Sequence, residues 1–205
     1  MLEKNGYDCL LFSTVNPMES MHFNLFDHIH EDTLDQDVLD IVDCIISATQ
    51  EADEKRDFWT KAEKLWLTAA IGFVAGFCPK EDQTMQTVMD LLLQSEVSET
   101  DETMQSVTDI IFADAEKENP DHFAVQIYKL YRKAAGISAK SVLFSLGNRL
   151  NPFLLPAVKS LTSDDNLDIE CIATRKTAVF LTISDSSSTF EFLSALILHV
   201  IVSQL

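Results

Sequence analysis

Apolar positions along the chain fall into two different periods, and the period changes only near the two ends. Between them the spacing is helical. Leu34, Val38, Ile41, Val42, Ile45 and Ile46 recur at intervals of three and four, which places them on one stripe of a helix with Thr33 at its N-cap. Asp35, Asp37, Asp40 and Asp43 then fall on the outward side. The next stretch, DFWTKAEKLWLTAAIGFVAGF, starts like a surface helix and loses its polar face halfway, so it needs cover on nearly every side. Further helical patterns are predicted over 84–96, 103–118, 121–135, 138–150 and 154–161, with Gly136 and Pro156 marking later boundaries. Trp59, Trp66, Phe73 and Phe77 fall at helical spacing and are read as core.

Two segments break this pattern. YDCLLFSTVN, near the start, is a short apolar run without helical spacing, ended by Asn16-Pro17, and reads as a buried strand. KTAVFLTIS, over 176–184, is rich in β-branched residues and reads as a second. The final run, FEFLSALILHVIVSQL, falls short of the roughly 20 apolar residues that span a bilayer and is interrupted by Glu191, Ser194, His199 and Ser203, so it reads as a buried helix. Two strands make a poor sheet alone. The inventory therefore suggests a mainly α protein, a helical bundle inserted between two β-strands of a larger, truncated α/β domain.

Charge changes the picture next. The chain carries 33 acidic and 15 basic residues, a formal charge of -18. Residues 1–121 hold 27 acids and 7 bases, 122–163 hold no acid and 6 bases, and 164–205 hold 6 acids and 2 bases. Such a chain does not wrap nucleic acid with its acidic half. Asp35, Asp37, Asp40 and Asp43 form a candidate face for a basic protein partner, while Lys129, Arg132 and Lys133, at i, i+3 and i+4 of one helix, are candidates for phosphate or DNA contact. The same trio also suits pairing with acids elsewhere in the fold. Cys9, Cys44, Cys78 and Cys171 form no CxxC pair, which suggests neither a zinc site nor a disulfide framework and fits a reducing compartment.

Three local patterns invite chemistry. FDHIHED offers Asp27, His28, His30 and Asp32 as metal ligands, but no further His or Cys stands at a supporting spacing, so a surface loop is the better reading. AAGISAKS lacks the second glycine of a phosphate loop, Ala139 standing in its place, and reads as a junction between helices with Ser138 as N-cap. Asp185 follows an apolar strand, where a magnesium-binding acid would lie, and where turn aspartates are also common.

The order SMHFNLF, DFWTKAEKLWLTAAIGFV, YKLYRKAAGISAKSVLFSLGNRLNPF and LDIECIATRKTAVFLTISDSSSTFEFLSALILHVIVSQL resembles the coupling proteins of type IV secretion and conjugation systems, over nearly the whole chain. The resemblance implies an all-alpha, substrate-recognising domain at 33–162, inserted into a RecA-like motor represented by a strand and lead-in loop at 1–32 and by a return strand and truncated helix at 163–205. It implies that the phosphate loop and the Walker B acid lie outside these residues, so this chain is expected to bind and not to catalyse, with no cofactor of its own. ATP and magnesium belong to the full-length parent, a membrane-anchored hexameric ATPase facing the cytoplasm. Relaxases, their accessory proteins, secreted protein cargo and secretion-channel components are the implied partners. Leu25 departs from the family pattern, which has Pro after the Asn of the lead-in loop. A free-standing acidic helical adaptor is the alternative from residues alone.

Overall fold

The computed structural model describes residues 2–50, 58–96, 104–135, 138–183 and 190–203. Strands β1 (Asp8–Ser13) and β2 (Thr177–Thr182) lie side by side as a parallel pair, in register from Asp8 opposite Thr177 to Ser13 opposite Thr182. Their alternation sends Leu10 and Phe12 into the core and leaves Phe180 exposed on the other face. The two strand segments read from the sequence are therefore neighbours, although the whole helical body separates them in the chain.

That body runs through α1 (Leu34–Ala48), α2 (Phe58–Phe77), α3 (Met85–Leu93), α4 (Val107–Glu118), α5 (Phe123–Ala135), α6 (Ala139–Leu150) and α7 (Pro156–Leu161). A single turn, α8 (Cys171–Thr174), precedes β2, and α9 (Glu191–Ser203) follows it. The fold is mainly α, with one small parallel sheet among the described residues.

Helix α2 is the axis of the bundle. It packs against α1, α3, α5 and α6, and Ala62, Trp66, Leu67, Ala69, Ala70, Ile71 and Val74 are all buried. Its loss of a polar face in the sequence is thus met by neighbours on several sides. Small residues let α5 approach: a Cβ on Gly72 would stand 2.5 Å from the Phe123 ring and 3.1 Å from the Ala124 Cβ. Aromatic contacts continue the α2–α4–α5 seam, with Phe73 against Phe112 and Phe112 stacked on Tyr128 at 3.9 Å between centroids. Of the four aromatics read as core on α2, Trp66 is fully enclosed and Phe73 and Phe77 are half-buried, whereas Trp59 is 39% exposed. Trp59 sits in the first turn, where the helix still has a solvent side.

α1 buries the stripe Val38, Ile41, Val42, Ile45 and Ile46 against α2 and α9. No helix among the described residues is long and apolar enough to cross a membrane. α9 instead buries Phe192, Leu193, Leu196, Ile197 and Val200 inside the protein.

Two caps differ from expectation. Thr33 occupies the N-cap position of α1, but its hydroxyl donates to Asp37 Oδ2 at 3.0 Å and caps no backbone N–H. Ser138 precedes α6 in a helical conformation and its hydroxyl likewise makes no capping bond. Helix α4 starts four residues later than its pattern suggests. Ser106 and Asp109 form a reciprocal capping box there, which fixes the start at Val107.

Candidate functional site

The lead-in loop from Met21 to Thr33 and the return loop from Leu161 to Asp168 meet between the sheet and the helical body. Phe23 N donates to Leu161 O at 2.8 Å, Asn166 N to His22 O at 3.2 Å, and His22 N to Asn166 Oδ1 at 2.7 Å. Two His–Asp pairs complete the seam. His22 Nδ1 lies 2.7 Å from Asp164 Oδ1, and His28 Nε2 lies 3.0 Å from Asp165 Oδ2. The second pair is nearly buried, and the His28 ring stacks on Phe23 at 5.2 Å. Asp165 also accepts from Asn24 N and Leu167 N, so one carboxylate ties both loops together. Hydrogen bonds from His22 and Ser163 hold the Asp164 carboxyl below the usual carboxylate range.

Leu25 does not disturb this loop. Asn24 is extended and caps a 3-10 turn over Leu25–His28 by accepting from Phe26 N, while its amide donates to Gln83 O at 2.9 Å. Leu25 itself is buried. Apolar packing and the Asn24 side chain thus define the turn without a proline.

His30 engages another carboxylate. Its Nδ1 lies 3.0 Å from Asp37 Oδ2, and its backbone N–H donates to the same oxygen at 2.9 Å. Partial burial works to raise the Asp37 pKa, but these bonds, with that of Thr33, hold it below its ordinary value. His28 and His30 therefore serve different aspartates. Among the described residues no group of three or more His, Cys, Asp or Glu is placed to hold a metal ion. Asp185 lies outside the described residues.

The four α1 aspartates are not equivalent. Asp37 fastens the helix start to the loop, and Asp43 pairs with Lys64 of α2 at 2.5 Å. Asp35 and Asp40 are exposed. Asp40 and Asp37 face a groove of about 480 Å³ between α1 and the C-terminal turn of α9, together with His30, Glu170 and His199. Ile41 and Ile169 contribute apolar lining, and no Lys or Arg is among the described residues that line it. Glu170 and His199 carry no earlier signal as a pair, because they belong to elements far from α1 in sequence.

The basic trio of α5 is partly consumed by α4. Lys129 Nζ lies 2.6 Å from Glu116 Oε1, and Arg132 Nε lies 3.1 Å from Asp109 Oδ1. Asp109 also accepts from the Tyr128 hydroxyl at 2.9 Å, and burial with this neighbouring carboxylate pushes the tyrosine pKa up. Lys133 is exposed.

The arrangement offers an acid-lined groove between α1 and α9. A search of curated proteins finds no match. A family model described as type IV secretory system conjugative DNA transfer, however, matches residues 1–205, the whole chain with its paired strands and its helical body between them, and the chain belongs to that family.

Proposed function

We propose that the helical body is the substrate-recognition domain of a type IV secretion coupling ATPase and that its acidic α1 surface docks basic segments of the proteins carried with, or instead of, DNA. The observation that carries this reading is the groove beside Asp37 and Asp40, lined by acids and histidines without a Lys or Arg among the described residues, in a chain of the conjugative DNA-transfer family. A negative face repels bare DNA and attracts basic proteins, with an on-rate that falls as salt screens it. Relaxases and their accessory proteins are the partners of this chemistry.

The parallel β1–β2 pair supports a motor around the helical body. Parallel strands are normally covered on both faces, and Phe180 is open on one. In this reading ATP and magnesium act in the parent, which is membrane-anchored and works as a hexamer, while residues 1–205 bind cargo and perform no phosphoryl transfer.

The test reverses Asp35, Asp40 and Asp43 together to Lys, with Asp37→Lys added in a second variant because Asp37 also holds the helix start. Each is titrated with the cognate relaxase at two salt concentrations. Weaker binding with a shallower salt slope in the triple variant is expected. Unchanged affinity and slope in both would leave the face as solvated surface only.

A further inference from the structure

We infer that the seat for the basic partner is not the acidic face of α1 at large but the seam between α1 and the end of α9, and that its occupant is a short extended segment carrying Lys or Arg. This rests on the cargo-docking reading and narrows it. The groove beside Asp37 and Asp40 continues past Asp40 and His199 into a second hollow of about 490 Å³ along Asp43, Cys44 and Ser47 of α1 and Ala195 of α9. From Asp37 to Ser47 a helix rises about 15 Å, the length of roughly four to five extended residues.

The charges of the described residues in this seam favour a basic occupant. Asp37, Asp40 and Asp43 line one wall and Glu170 adds a fourth carboxylate, with no Lys or Arg among the described lining residues. Asp43 and Asp37 already have partners. The side chains of Asp40, Glu170 and His199 make no hydrogen bond or ion pair among the described residues, so their bonding capacity is open to an occupant of the groove. Ile41 and Ile169 beneath them offer apolar contact to the methylene stem of a long basic side chain. Asp35, although equally acidic and exposed, lines neither hollow.

The experiment uses the peptide (Arg-Ala)3, with (Glu-Ala)3 as the opposite-charge control, titrated into the isotope-labelled chain and followed by NMR. Two variants remove the same charge: Asp40→Asn with Glu170→Gln in the seam, and Asp35→Asn with Glu118→Gln outside it. The seam variant is expected to bind about tenfold more weakly, a loss in keeping with two partly desolvated charges, and the outside variant within about twofold of the parent. Shifts in the parent should cluster on Asp40, Glu170 and His199. Equal weakening in both variants with scattered shifts would overturn the seam as the seat while leaving general acidic-face docking intact. No shift with (Arg-Ala)3 would also overturn it, and the relaxase titration of the Asp35, Asp40 and Asp43 reversal would judge the broader reading separately.

Discussion

The guanidinium of Arg149, in the last turn of α6, lies 3.0 Å through Nη2 and 3.2 Å through Nε from one oxygen of Glu63 on α2, with both side chains almost wholly out of solvent. Its Nη1 donates to Thr49 O at 2.9 Å and to Thr49 Oγ1 at 3.2 Å, just past the end of α1. One side chain thus joins three helices. It also satisfies a carbonyl that the end of α1 leaves without an intrahelical partner.

Breaking that pair from either side strands a charge in the core. Glu63→Ala and Arg149→Ala are each expected to lower unfolding free energy by about 3–5 kcal/mol, measured by urea denaturation. Arg149→Lys should recover little, since an ammonium lacks the fork that reaches Glu63 and Thr49 together. A loss below about 1 kcal/mol in both alanine variants would mean that water enters and solvates the remaining partner.

The approach of α5 to α2 gives a second expectation. Alanine at an exposed helical glycine normally stabilises by up to about 1 kcal/mol. At Gly72 the added carbon meets Phe123 and Ala124, so Gly72→Val is expected to destabilise by about 1–3 kcal/mol through overpacking, read as a lowered Tm. An unchanged Tm would show that the Phe123 ring swings away freely.

The elements were legible where one local period sufficed. Val38, Ile41, Val42, Ile45 and Ile46 announce α1, and the β-branched run before Ile183 announces β2, because burial of one face imposes spacing on neighbouring residues. Caps were less legible: Thr33 finds the Asp37 carboxylate, a competitor for its hydroxyl that the cap pattern does not reveal. The pairs that lock the body were hidden altogether. Glu63 and Arg149 are 86 positions apart, and His28 and Asp165 are 137 apart, so no window of sequence contains both partners. The same holds for the groove. The outward side of α1 reveals Asp40, but only the fold brings Glu170 and His199 beside it.

Acid should loosen the lead-in loop first. The carboxyls of Asp37 and Asp164 are held below their ordinary values in the folded state, so each stabilises the fold above the unfolded carboxylate pKa, near 4, and loses that contribution as pH falls through its lowered folded value. Thermal melts between pH 7 and 3 should steepen below about pH 4. Asp37→Asn should be less stable at neutral pH and show a flatter acid slope. Identical slopes in the variant and parent would remove Asp37 as a source of the acid sensitivity.

Nucleotide chemistry is expected to be absent from residues 1–205. Phosphoryl transfer needs a loop and Lys around the phosphates and an acid holding magnesium, and no G-x-x-x-x-G-K-[ST] occurs in this sequence. Isothermal titration with Mg-ATP should give no saturable heat, and phosphate release should stay at background. Turnover that tracks the protein through successive columns would refute this.

The basic trio of α5 makes the last expectation two-sided. Lys129 and Arg132 face Glu116 and Asp109, so their charges are largely neutralised by α4, and Lys133 remains as an exposed positive group. Duplex DNA binding by this chain should therefore be weak, with a salt slope near that of about one phosphate contact. Glu116→Gln would release Lys129 without touching the buried Asp109 network and should raise DNA affinity by a few fold while steepening the slope by about one further contact. Fluorescence anisotropy with a labelled duplex at 50 and 150 mM salt measures both quantities. A parent slope corresponding to three or more phosphates would show that DNA displaces the α4 carboxylates, and the trio would then be a nucleic-acid contact in its own right. A Glu116→Gln variant that matches the parent would instead assign Lys129 wholly to packing α5 on α4.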